Sequence, residues 1–164
     1  MHTIGYLLLI FSVFSYVAST YTSWPDGTVL SIQDSNGNYL SLCSSNECLS
    51  CSHSNQLCIS GSTLNSASKF TTLKHSCTHG SCMSLQNEAS GSYVTRVLCP
   101  GDYYFADSAT QNNLNQWFLF NSTTSGYTIQ SGFTSGYLYD YGTVGTCSNV
   151  LSDGTFQVFT VTTH

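Results

Sequence analysis

Thr128-Ile129-Gln130, a turn, then Tyr137-Leu138: this phrase occurs three times in the chain. The other copies run from Ser31-Ile32-Gln33 to Tyr39-Leu40 and from Ser84-Leu85-Gln86 to Tyr93-Val94. In each, a short apolar–polar alternation ends in Gln, a Ser/Asn/Gly-rich turn follows, and an aromatic–aliphatic pair opens the next run. Alternation with period two marks a strand with one buried face. Each copy later reaches an aromatic with an apolar residue three positions on: Phe70 with Leu73, Trp117 with Phe120, Phe156 with Phe159. Recurrence at this spacing predicts one supersecondary unit repeated, with a core that closes only when all copies are present. The aromatic–apolar pairs are expected to be core layers, and the recurring Gln to bond backbone at its turn.

Turn chemistry punctuates the rest, at Asn36-Gly37, Ser90-Gly91, Ser125-Gly126 and Ser135-Gly136. Between the turns lie runs rich in β-branched and aromatic residues, at 29–32, 39–42, 93–98, 117–120, 126–130 and 156–161. No helix is convincing after residue 20. The expectation is all-β, with roughly a dozen short strands and no long linker. The first repeat is the longest, and its excess falls in residues 43–58, read as an inserted loop pinned by disulfides.

The stretch Asn115-Gln116-Trp117-Phe118-Leu119-Phe120, followed by Gly126-Tyr127-Thr128-Ile129-Gln130, resembles the β-trefoil superfamily in its ricin-B-like lectin and fascin-like branches. The resemblance covers residues 28–161. It implies an all-β fold, a disulfide-stabilised β-trefoil with pseudo-threefold repeats at approximately 28–75, 81–122 and 126–162. Closing a barrel removes sheet edges and lets a small core fill without helices. The chain departs from the lectin pattern where the usual Gln-x-Trp becomes Gln116-Trp117, and where repeats one and three carry Phe70 and Phe156.

Met1-His2-Thr3, an apolar run over residues 4–17 and small Ala18, Ser19 and Thr20 predict a signal peptide, residues 1–19, cleaved after Ser19. A single domain, residues 20–164, would follow, secreted and without a membrane span. Eight cysteines lie behind the leader: Cys43, Cys48, Cys51, Cys58, Cys77, Cys82, Cys99 and Cys147. In that compartment an even count reads as disulfides, with pairing open. Cys77 and Cys82 flank a short turn and suit a local bridge; Cys43, Cys48, Cys51 and Cys58 crowd one loop and are expected to staple it.

Only 7% of residues are charged and the net charge is −5, so nothing here would neutralise a run of phosphates. Nucleic acid is excluded as a partner. Aromatics make up 13% of the chain, too many for disorder, and Ser, Thr, Asn and Gly carry the solubility. Such a surface suits uncharged partners, sugars among them.

Catalytic signals are absent. Glu47 and Glu88 are the only glutamates, His53, His75 and His79 form no recognisable pairing, and the spacing of Asp102, Asp107, Asp140 and Asp153 selects no glycosidase pair. The chain is expected not to be an enzyme and to need no cofactor. Cys48-x-x-Cys51 with His53 and Cys58 has ligand-like spacing. Outside the cell those thiols are expected to be oxidised, so no metal is expected.

The resemblance implies a sugar site in which an Asp accepts hydrogen bonds from sugar hydroxyls and a ring stacks on the apolar sugar face. Within Gly136-Tyr137-Leu138-Tyr139-Asp140-Tyr141 the Asp is Asp140, with Tyr139 or Tyr141 as the ring and Asn149 as an amide partner. The matching positions in the other repeats read as Ser41 and Thr95, so one site at most survives. Tyr103-Tyr104-Phe105 is a stacking platform if exposed and strand core otherwise; Trp24 is expected to plug the barrel bottom or pack the N-terminus. Asn121-Ser122-Thr123 is an N-glycosylation acceptor, expected in a turn. The leading partners are glycans or glycoproteins. The competing readings are an extracellular protein target, as for a protease inhibitor presenting the 43–58 loop, and a structural coat or matrix protein.

Overall fold

The computed structural model describes residues 21–43, 55–59, 61–78, 80–99, 101–110, 114–132, 136–144, 147–153 and 157–164. The expected signal peptide and most of the 43–58 loop, with Glu47, Cys48, Cys51 and His53, lie outside the described residues, as do His79 and Phe156. No helix among the described residues is long and apolar enough to cross a membrane. The architecture is all-β.

Thirteen strands are described: β1 (Tyr21–Thr22), β2 (Val29–Gln33), β3 (Leu40–Leu42), β4 (Leu57–Ile59), β5 (Phe70–Cys77), β6 (Gly80–Asn87), β7 (Tyr93–Cys99), β8 (Gly101–Ser108), β9 (Phe118–Thr123), β10 (Gly126–Ser131), β11 (Tyr137–Val144), β12 (Cys147–Asp153) and β13 (Thr160–Thr163). Pairing runs from β2 to β5, β5 to β6, β6 to β9 and β9 to β10. A bridge between Tyr127 and Phe159 then leads to β13, which pairs with β2. Three hairpins, β3–β4, β7–β8 and β11–β12, stand beside this circuit. They meet one another through β12–β4, β12–β8 and a Gln56–Phe105 bridge.

The three phrases that open the sequence occupy matching places in register. Gln33 pairs with Tyr39, Gln86 with Tyr93 and Gln130 with Tyr137. The next backbone N–H closes each turn: Asp34 N–H donates to the Asn38 carbonyl at 2.9 Å, Asn87 to Ser92 at 2.9 Å, Ser131 to Gly136 at 2.8 Å. The expected bonding of Gln to turn backbone holds in the first two copies, where Gln33 Nε2 donates to Gly37 O at 2.9 Å and Gln86 Nε2 to Gly91 O at 2.8 Å, whereas Gln130 Oε1 accepts from the Tyr21 hydroxyl at 3.5 Å.

Alternation then decides which side chains enter the core. The residue before each Gln is buried (Ile32, Leu85, Ile129), as is the one after each Tyr (Leu40, Val94, Leu138). Burying one such side chain is worth about 1.5–3 kcal/mol. Trp24 packs edge-on against Phe120 with centroids 5.1 Å apart and against Tyr127 at 5.7 Å, covering the core from the N-terminal side.

Register corrects the expected aromatic layers, by one residue at Trp117 and by three at Phe156. Phe70 lies opposite Asn87, Phe118 opposite Ser131, and Phe159 one before the Thr160–Gln33 pair. The equivalent core aromatics are therefore Phe70, Phe118 and Phe159, all at most 1% exposed, and Trp117 is not among them. Residues three apart on a strand point to opposite faces. Leu73 is accordingly half-buried rather than a core layer, and Trp117 is half-buried just before β9.

Of the expected disulfides, Cys77–Cys82 joins β5 to β6 across their turn. Cys43 packs against the fully buried Cys58.

Candidate functional site

The strands of the third repeat bring three of the four expected sugar-site residues together. On β11–β12, Tyr139 pairs with Leu151 and Asp140 with Val150; register is then lost and resumes at Thr143–Ser148. Tyr141 and Gly142 thus stand opposite the single residue Asn149. This is a β-bulge, one extra residue on β11, and its centre is the expected Asp140, Tyr141 and Asn149. Bulges bend a strand and re-aim its side chains, which is why they recur beside binding sites. On its other side, Asn149 pairs with Cys58 of β4, so the bulge faces the point where two hairpins join. Tyr139 precedes the bulge and is half-buried.

Counting from the paired tyrosines changes the expected counterparts of Asp140. Ser41 and Thr95 each lie two residues after their tyrosine and match Tyr139; the positions matching Asp140 are Leu42 and Arg96. The slip arises because the sequence was matched on residue type, whereas hairpin register fixes the face. Neither Leu42 nor Arg96 offers a carboxylate. Ser41 is buried with its hydroxyl on Leu42 O at 3.3 Å, and Thr95 Oγ1 donates to Tyr93 O at 3.4 Å.

Two other expectations are changed by the strands that hold their residues. Tyr104 and Phe105 are fully buried, with Tyr104 5.5 Å from Phe118, so strand core and not a stacking platform accounts for them. Asn121 does not sit in a turn. It is half-buried in the middle of β9, flanked by Tyr21 of β1 and Thr128 of β10, because the chain continues extended past it to Thr123.

A buried polar layer lies outside the core. Ser31, Ser84 and Thr128 precede the core residues Ile32, Leu85 and Ile129, so alternation points them away from the core, yet they are 1%, 0% and 5% exposed. Histidine rings cover two of them. Ser31 Oγ lies 2.9 Å from His164 Nε2, and Ser84 Oγ 3.1 Å from His75 Nε2. The His75 ring is stacked on Trp117, centroids 5.3 Å apart. Desolvation holds its pKa below the usual 6.5, with the nearby Asp26 carboxylate pulling the other way. In the third repeat, Thr128 lines a depression of about 240 Å³ with Asn121, Thr123 and Tyr137. The signal that would have found this layer is the hydroxyl two places before each repeated Gln.

No protein-family model matches the chain, and neither does any curated protein. Solved structures do. An SDF2-like protein from Arabidopsis thaliana superposes with TM-score 0.66 at 10% identity, over 84% of this chain and 93% of that one. A Culex salivary protein of the Cysteine and Tryptophan-Rich family gives 0.61 at 14% identity, over 89% and 97%. A Polyporus squamosus lectin, solved with the epitope Neu5Aca2-6Galb1-4GlcNAc, gives 0.62 at 13% identity, over 85% of this chain and 50% of that one. These neighbours have trefoil-like folds, and the likeness is one of fold.

Proposed function

We propose that the chain is a secreted β-trefoil protein that binds carbohydrate, without turnover, at the bulged β11–β12 hairpin of its third repeat. The observation that carries this reading is the bulge itself: Asp140 directly before it, Tyr141 within it, Asn149 opposite. A carboxylate accepts from two adjacent sugar hydroxyls, an amide both donates and accepts, and a tyrosine ring covers C–H groups at little entropic cost. Repeats one and two offer Leu42 and Arg96 at the Asp140 position, which argues for a single site of this type. The matching turns and hairpins of the three repeats support the trefoil, and the leader-like residues 1–19 with eight cysteines support secretion. A lectin among the fold neighbours agrees with the reading at the level of fold only.

The test is a glycan and polysaccharide binding screen on the oxidised mature protein beside Asp140→Ala. Binding that the substitution abolishes supports the site. Binding that survives moves the site elsewhere, and a screen with no binding to any glycan overturns the reading.

A further inference from the structure

The three repeats provide an internal reference for the polar layer outside the core. Ser84 pairs with Leu73 across β5–β6, and the histidine that covers it, His75, lies two residues further along β5. Ser31 pairs with Thr162 across β2–β13, and His164 again lies two residues on. Thr128 pairs with Asn121 across β9–β10, and the residue two further on is Thr123. Threonine stands where both other repeats have histidine.

Thr123 does not replace the ring. Its Oγ1 donates to Gly126 O at 3.1 Å and accepts from Ser125 N–H at 3.3 Å, turned toward its own hairpin. Thr128 Oγ1 is left buried with no hydrogen-bond partner among the described residues. A buried hydroxyl without a partner is costly to desolvate, a reason to expect an occupant. The depression lined by Asn121, Thr123, Thr128 and Tyr137 opens at this position.

We infer that this third-repeat slot is a second ligand subsite, built for one neutral sugar ring whose hydroxyl takes the place that histidine holds in the other repeats. The class follows from the lining. No carboxylate or cation lines the slot among the described residues, so nothing there would pair with a charged ligand group. The Thr128 hydroxyl, the Asn121 amide and the Tyr137 phenol supply the donors and acceptors that sugar hydroxyls pair with. Its volume, about 240 Å³, is below the roughly 300–1,000 Å³ of sites for drug-sized ligands and suits a single ring. The inference shares the ligand class of the proposed function but not its residues.

The experiment is amide chemical-shift mapping of the mature, oxidised protein, carrying no glycan at Asn121, titrated separately with galactose, mannose and N-acetylglucosamine. Thr128→Val, Thr123→His and Asp140→Asn are compared with the wild type. At least one sugar is expected to shift the amides of Asn121, Thr123, Thr128 and Tyr137. Thr128→Val should weaken that binding on the order of tenfold while melting no lower than wild type, since it removes an unpaired hydroxyl at nearly constant shape. Thr123→His should abolish it by rebuilding the hydroxyl–imidazole pair. Asp140→Asn should leave these shifts intact, which separates this subsite from the bulge. Shifts confined to residues 139–150, no shifts with any sugar, or unaltered binding by Thr128→Val would each overturn the subsite.

Discussion

His75 lies flat on Trp117, the two ring centroids 5.3 Å apart and their planes 8° from parallel. The stack joins β5 to the residue that opens β9 and roofs the buried Ser84 hydroxyl, which lies 3.1 Å from His75 Nε2. The contact explains why Trp117 stands outside the core although its neighbour Phe118 is inside.

Stability should therefore fall in mild acid. Desolvation lowers the folded-state pKa of His75, Asp26 opposes it, and the first wins. The unfolded chain takes up its proton near pH 6.5, before the folded ring does. Stability is full above that pH and is lost as pH falls through it toward the depressed folded value. Thermal melts on either side of pH 6.5 should show the decline, and His75→Gln should flatten it even though the variant melts lower overall. Equal pH slopes in the two proteins would refute the assignment.

The neighbouring residues Trp117 and Phe118 should respond very differently to truncation. Phe118 is 1% exposed in the central core cluster, and Phe118→Ala should cost about 3–5 kcal/mol by removing that packing and leaving a cavity. Trp117→Ala removes a half-buried stack and should cost less, about 0.5–1.5 kcal/mol for the ring pair beyond area. Denaturant unfolding of both variants checks the order. A reversed order would mean the aromatic layer runs through Trp117, as the sequence alone suggests.

That reversal marks how far the sequence could be read. The all-β class, the three Gln-to-Tyr turns and the residues flanking them were legible because alternation with period two is carried by residue type. The counterparts of Asp140 and the Trp117 member of the aromatic layer are each displaced by one position, and the third member is Phe159, three after Phe156. Aromatic identity repeats at Phe70 and Trp117, but the hydrogen-bonded register repeats at Phe70 and Phe118, and one residue on a strand exchanges faces. Asn121 was assigned to a turn because an acceptor triplet carries no information on pairing, yet β1 and β10 flank it on both sides. The histidine-covered layer was hidden because Ser31 with His164 are far apart in the chain, and only the β2–β13 pairing joins them. Conversely, Asp140, Tyr141 and Asn149 were selected by resemblance and meet at a bulge that no local pattern announces.

Gly126 should tolerate no side chain. Its φ of +149° is one that L-residues rarely adopt, and a Cβ there would strike the Phe159 carbonyl oxygen. That carbonyl accepts from Tyr127 N–H at 2.8 Å, part of the bridge linking β10 to β13. Gly126→Ala therefore strains the backbone and pushes on a pairing between the third repeat's first and last strands. A loss of at least about 1–3 kcal/mol is expected in denaturant unfolding. Gly37, also at positive φ but with open space at its Cβ, should lose only the conformational share on substitution by Ala, about 1 kcal/mol. Equal losses at the two glycines would show that the Phe159 contact contributes nothing.

Two aspartates should separate structure from binding. Asp34, 4% exposed, follows Gln33 and accepts from the backbone N–H of Asn36 at 2.9 Å and of Asn38 at 2.8 Å. In the second repeat Asn87 does the same work, its Oδ1 accepting from Ala89 N–H at 3.0 Å and Ser90 N–H at 3.1 Å. The turn therefore needs an acceptor oxygen and not a charge. Asp34→Asn should be nearly neutral, and Asp34→Ala should cost about 0.5–1.5 kcal/mol per bond lost by removing the turn's acceptor. Neither should change glycan binding per folded molecule. Asp140 is argued to be the opposite case, with the ligand's hydroxyls as partners of its carboxylate. Asp140→Ala should lose glycan binding with a stability change within about 0.5 kcal/mol. Asp140→Asn, which keeps an acceptor but adds a donor where two sugar hydroxyls must donate, should bind more weakly than wild type and better than Ala. Chemical unfolding and glycan titration of the four variants read the two properties independently. If Asp140→Ala unfolds as readily as Asp34→Ala, the carboxylate is holding the bulge rather than a sugar.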